Sequence, residues 1–158
     1  MSQKEIREIL QNYRTVAVVG LSSDENKPSH EVAKYMQEQG YRVIPVNPTL
    51  TEVLGEKSYP SLADMPAEVQ ETVEVVDIFR RPENVLPVVE QAIKLKAKYG
   101  NPFVVWMQLG IVNEAAAKAA RKAGIVVGCR LRGNSGCTTH PRQHTVCDCS
   151  ARRLLDAA

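Results

Sequence analysis

The residues best suited to chemistry stand where apolar runs end. The β-branched run at residues 15–19 stops at Gly20-Leu21-Ser22-Ser23, and Lys27, Pro28 and Ser29 open the next segment. A glycine lets backbone approach a guest closely. Serine hydroxyls and the first free N–H groups of a helix donate to an anion, which the helix dipole favours. A phosphate or pyrophosphate is the natural guest of such a turn, and a plain helix cap is the alternative. A second run ends at Phe79-Arg80-Arg81. An aromatic ring and two guanidiniums there can stack on a purine and pair with phosphate. The same pair also reads as solvated arginines ahead of a helix started by Pro82. A third ends at Trp106-Met107-Gln108-Leu109-Gly110, where Gln108 can hydrogen-bond and Gly110 leaves room for a ligand; alternation places Trp106 in the core. A fourth ends at Asn47-Pro48.

This is not a dinucleotide fingerprint. G-x-G-x-x-G needs more glycines than Gly20 supplies, and NAD needs an acidic residue about 20 positions on for its ribose. Asn47 and Pro48 occupy that corner. A nucleotide-dependent enzyme therefore rests on fold analogy alone. No Ser-His-Asp set and no paired carboxylates are evident. His30 reads as a surface or rim residue.

The elements that must position these residues follow from periodicity. Ser2 and Glu5 are spaced as a capping box ahead of Ile6, Ile9 and Leu10, which predicts an opening helix. Strands are predicted at 15–19, 41–46, 72–79, 102–107 and 125–127. Helices are predicted from Pro28 to Gly40, from Pro82 to Tyr99, and after Asn113 as N-cap as far as Ala123. Residues 49–70 are expected to be irregular, with short helical turns. Five strands alternating with helices predict an α/β fold. It is a three-layer, doubly wound, Rossmann-like sheet of five mostly parallel strands, with helices on both faces. Ligands of such sheets bind at the carboxyl ends of the strands, where strand order reverses.

The whole chain has 158 residues, 44% hydrophobic and 24% charged, with a net charge of +2. That is ordinary globular composition for one domain. No apolar run approaches the roughly 18 residues of a membrane span. The polar, acid-containing N-terminus does not read as a signal peptide, so a cytoplasmic protein is the default. Residues 1–128 carry 15 Lys+Arg against 16 Asp+Glu, which gives no electrostatic case for nucleic acid.

Taken in order, Val18-Val19-Gly20-Leu21-Ser22-Ser23 with Lys27-Pro28-Ser29, then Gly40-Tyr41-Arg42-Val43-Ile44-Pro45-Val46-Asn47-Pro48, then Val76-Asp77-Ile78-Phe79-Arg80, then Val105-Trp106-Met107-Gln108-Leu109-Gly110-Ile111, resemble the stand-alone CoA-binding protein family. That family is a single Rossmann-like domain similar to the CoA-binding domain of the succinyl-CoA synthetase α subunit. The resemblance runs from about residue 5 to residue 127. It implies reversible binding of coenzyme A or an acyl-CoA, with no enzyme activity attached. The turn of Gly20, Leu21, Ser22 and Ser23, with Lys27 and Ser29, would hold the pyrophosphate. Asn47 and Pro48 would border the nucleotide. Phe79, Arg80 and Arg81 would meet the adenine and 3′-phosphate, and Gln108 and Gly110 would close the floor.

The resemblance stops near residue 128, and the expected domain is 1–128. Residues 129–158 hold all four Cys, two of the three His, five Arg and no Lys. Cys137, His140, His144 and Cys147 give C-x2-H, H-x3-H and H-x2-C spacings, the material of a zinc site on an interaction protein. The Lys-free, Arg-, Cys- and Gly-rich composition reads instead as an end foreign to the body, expected to be poorly ordered.

Overall fold

The computed structural model describes residues 3–108, 111 and 113–129. Five parallel strands form one sheet: β1 (Thr15–Val19), β2 (Arg42–Val46), β5 (Val75–Ile78), β6 (Val104–Met107) and β7 (Val126–Cys129). Their order is β2-β1-β5-β6-β7. The chain steps outward from β1 to β2, then crosses back over β1 to place β5 on its other side. The order therefore reverses once, between β1 and β5, and that gap is the switch point of the fold. Among the described residues, no helix is long and apolar enough to cross a membrane.

Alternation sorts the strand residues between two apolar layers. Ala17, Val19, Val76, Ile78, Val105 and Met107 face one side. There they meet Val85, Val89, Ala92 and Leu95 of α4 (Val85–Tyr99) and Ala116 and Ala120 of α5 (Glu114–Lys122). The two small alanines bring α5 close to this layer. Val16, Val18, Val43, Val75 and Val104 face the other side. They pack on Val32, Ala33 and Met36 of α2 (Pro28–Glu38), with Ile9 and Leu10 of α1 (Gln3–Asn12) at the margin. Apart from Asp77 in β5, the buried strand residues are apolar on both faces, as a parallel sheet covered on both sides requires.

Where the structure departs from expectation, the cause is local. Residues 49–70 hold a hairpin as well as a short helix: β3 (Glu52–Val53) pairs antiparallel with β4 (Glu56–Lys57), and α3 (Ala67–Gln70) follows. The connection is Leu54-Gly55, both at positive φ. A hairpin turn of that kind normally announces itself with Asn or Asp ahead of Gly, and Leu54 hides it. Tyr59 then lies along the outer edge of β2, where Asn47 N–H donates to its carbonyl at 2.9 Å. The third predicted strand, 72–79, shortens to Val75–Ile78 because Thr72 and Val73 turn back onto α3. The Thr72 hydroxyl donates to the Val69 carbonyl at 2.8 Å and the Val73 N–H to the Gln70 carbonyl at 3.3 Å. The helix expected from Pro82 opens as a 3-10 turn, Pro82–Asn84. Pro87 falls in the first turn of α4, where its missing N–H costs no bond. Asn113 caps α5 as expected, its Oδ1 accepting from Ala116 N–H at 2.9 Å. The last strand runs on to Cys129.

Candidate functional site

Four loops leave the carboxyl ends of β1, β2, β5 and β6, and specific bonds bind them into one rim. Gly20, directly after β1, takes φ +88°. Its N–H donates to the Val46 carbonyl at 2.8 Å. A side chain there would meet the Phe79 carbonyl oxygen at 2.7 Å, and the Arg80 Cδ lies 3.4 Å from the same point. Gly20 is thus the residue that lets the β1 and β5 loops close on each other at the switch point, with the stem of Arg80 laid across it. Asn47 joins the next pair of loops. Its Nδ2 donates to the Leu21 carbonyl at 2.9 Å, while its Oδ1 accepts from the N–H and hydroxyl of Thr49. Asn113 Nδ2 donates to the Pro82 carbonyl at 2.9 Å and joins the last pair.

The turn into α2 is itself ordered by hydrogen bonds. Ser22 N–H donates to the buried hydroxyl of Ser29 at 3.1 Å, and the Ser22 hydroxyl accepts from Asp24 N–H at 3.1 Å. Leu21 turns its side chain fully into the core. Ser23 and Lys27 are exposed. Lys27 is the N-cap of α2 and makes no side-chain cap bond. The positive end of this helix therefore opens toward the turn with no side-chain acceptor in place, the local geometry that suits an anion. Asp24 is held below the usual carboxylate range, first by hydrogen bonds from the backbone and side chain of Asn26.

Of the other expected residues, Phe79 and Arg80 are half-buried, and Phe79 packs on the α2-side layer. Arg81 and Pro48 are exposed. Gln108 is half-buried at the end of β6. Gly110 lies outside the described residues, as do Cys137, His140, His144 and Cys147 and the other expectations for the segment after Cys129. Trp106 is buried as expected and its ring lies against Gly128, where a side chain would collide with it. His30 corrects the surface alternative: it is only 6% exposed, in the first turn of α2.

Sequence reasoning missed Asp77. It sits in β5, in register with Val18 of β1 and Trp106 of β6, and is 2% exposed. Gln108 Nε2 donates to both of its oxygens, at 2.8 and 3.1 Å. Burial pushes its carboxyl up to about 7, against the downward pull of the Gln108 bond and of a backbone bond at Ile78. The available signal was a carboxylate inside an otherwise apolar strand, Val75-Val76-Asp77-Ile78. Such a residue is rarely placed there for packing alone.

A family model described as a CoA binding domain matches residues 14–132. A Bacillus subtilis protein, YneT, is 41% identical over 126 residues, which is 80% of this chain and 87% of that protein. The α subunit of an ADP-forming acetate–CoA ligase II from Pyrococcus furiosus is 44% identical over 66 residues, 41% of this chain but only 14% of the subunit. Among solved structures, a hypothetical protein from Pyrococcus horikoshii OT3 superposes with a TM-score of 0.73 at 41% identity, over 82% of this chain and 84% of that one.

Proposed function

Since the chain belongs to the CoA-binding domain family, we propose that it binds coenzyme A or an acyl-CoA reversibly at the β1/β5 switch point and does not itself turn over the thioester. One observation carries this reading: the uncapped N-terminus of α2 opens beside Gly20, with Arg80 drawn across the same turn. The Ser29 N–H, which no carbonyl takes up, and the exposed Lys27 ammonium at one helix start suit a pyrophosphate, which spreads its charge over several acceptor oxygens, and the neighbouring guanidinium suits a further phosphate. In this reading Ser22, Ser23, Lys27 and Ser29 surround the pyrophosphate. Arg80 and Arg81 serve the 3′-phosphate, Phe79 the adenine, and Gln108 the thiol-bearing arm. Leu21 and Asn47 act through the loops they tie, since the Leu21 side chain is buried and both ends of the Asn47 amide are already bonded. Pro48 borders the nucleotide.

The non-catalytic half of the reading is supported by how little of the acetate–CoA ligase subunit aligns. A shared stretch of 14% of that subunit suits a common binding module better than a common catalytic apparatus. The test is a thermal-shift titration with CoA, dephospho-CoA and NAD, accompanied by an acetyl-CoA hydrolysis assay. At 100 times its dissociation constant a ligand adds about 2.7 kcal/mol, a shift of several degrees for a domain of this size. A large shift with CoA, a smaller one with dephospho-CoA and none with NAD is expected. No shift with CoA overturns the binding reading, and steady thioester loss overturns the non-catalytic one.

A further inference from the structure

The floor of the rim contains one polar pair that the loop ties do not require. Asp77 lies on the α2 side of the sheet, the side its strand neighbours Val75, Val18 and Val104 line with apolar groups. A β-branched residue would fill this position at no desolvation cost, whereas a buried carboxylate is expensive unless it is paired. Besides a backbone bond at Ile78, its pairing is to one side-chain atom. Both carboxylate oxygens accept from Gln108 Nε2, at 2.8 and 3.1 Å. A glutamine amide has a donor end and an acceptor end. With the donor end drawn inward, the acceptor end, Oε1, is turned away from Asp77, and no described residue donates to it. Gln108 is half-buried at the carboxyl end of β6, one strand on from the β1/β5 switch point.

We propose that Asp77 is a positioning residue for specificity. It locks the Gln108 amide so that the rim offers an acceptor there, which selects a ligand group that donates, an amide N–H or thiol of the pantetheine arm. Carbonyl and phosphate oxygens are refused at this point and belong at the α2 turn. The inference rests on the CoA reading above and adds to it which part of the ligand meets β6 and why. The raised carboxyl of Asp77 agrees with its dry surroundings, and at pH 8 the group is ionised and purely an acceptor.

The test compares two probes at pH 8: CoA, and the nucleotide half of CoA without its pantetheine arm (3′-phospho-ADP). Calorimetry is run on the full chain, on Asp77→Asn, on Gln108→Met and on the double variant. Asn at position 77 can donate as well as accept, so it releases the amide to turn either way. Met at 108 keeps the length and removes both polar ends. The expected result is that each single variant binds CoA about tenfold more weakly, the worth of one net hydrogen bond, while 3′-phospho-ADP binds as before. The double variant loses no more than Gln108→Met alone, because Asp77 acts only through Gln108. Equal losses on both probes, or additive losses in the double variant, overturn the proposal. If Asp77→Asn does not fold, Gln108→Met decides: unchanged CoA affinity overturns it, and a loss confined to CoA supports it. Failure of the unmodified chain to bind CoA is a different result, since it removes the underlying reading as well.

Discussion

Replacing Asp77 by Asn should change how the stability of this protein depends on pH, with no ligand present. In the fold the carboxyl is pushed up to about 7 by burial, from a reference value of 3.8. The folded state therefore holds its proton through a pH range in which the unfolded chain has already released it. Stability falls as pH rises wherever the folded state binds more protons, so this group's contribution is greatest in acid and declines from about pH 4 until it levels off above about 7. The full penalty for ionising the buried group is about 4 kcal/mol. Between about pH 5 and pH 8 the decline is about 2–3 kcal/mol. Asn carries no titrating proton and keeps the shape, and its Oδ1 can still accept from Gln108 Nε2. The assay is urea unfolding of the parent and Asp77→Asn at both pH values. The constant cost or gain of seating an amide cancels when each protein is compared with itself, as do the other titrating groups shared by the two. The parent should lose about 2–3 kcal/mol more than the variant on going to pH 8. Parallel profiles, within about 0.5 kcal/mol, would mean that Asp77 is ionised in the fold at both pH values and that the account of its burial is wrong.

Three further outcomes follow from the rim. Gly20→Ala should cost about 3 kcal/mol without any ligand, since it combines a left-handed backbone with a collision against the Phe79 carbonyl; a loss below about 1 kcal/mol in urea unfolding would contradict that geometry. Gly128→Ala should cost about 1–3 kcal/mol and move the emission of Trp106, the single tryptophan, because a methyl there displaces its ring; unchanged emission would place the ring elsewhere. Arg80→Ala should weaken CoA by about tenfold and dephospho-CoA by much less, measured by calorimetry, and equal losses would remove Arg80 from the 3′-phosphate.

Much of the fold was legible in the residues because it depends on local rules. Runs such as residues 16–19 are apolar at every position, which suits a strand buried on both faces. Pro28 and Asn113 mark helix starts through the backbone groups they lack or satisfy. Four ordered motifs sufficed to identify the CoA-binding family, since each sits at the end of its own strand and their order is the order of the chain. The turn into α2 was legible too, because the strand, Gly20 and the helix start are adjacent in sequence.

What remained hidden depends on residues far apart in the chain. Leu54-Gly55 makes a hairpin turn that its residue types do not advertise. Gly20 looked like room for a ligand, and its missing side chain is first required by the Phe79 carbonyl, 59 positions on, because β5 and not β2 lies across the switch point. Asn47 was expected to border a ligand, and the structure adds that its amide ties two loops. Asp77 and Gln108 are 31 residues apart, and nothing in either segment names the other. They meet because β5 and β6 pair in register, a matter of how the strands are ordered. The amino-acid sequence alone determined the main elements and the family, and it pointed to the strand ends as the place for a ligand, since those readings follow from neighbours along the chain. Only the tertiary structure decided which side chains are free to meet a ligand and which are already committed, since burial and hydrogen bonding are settled between elements that the sequence keeps apart.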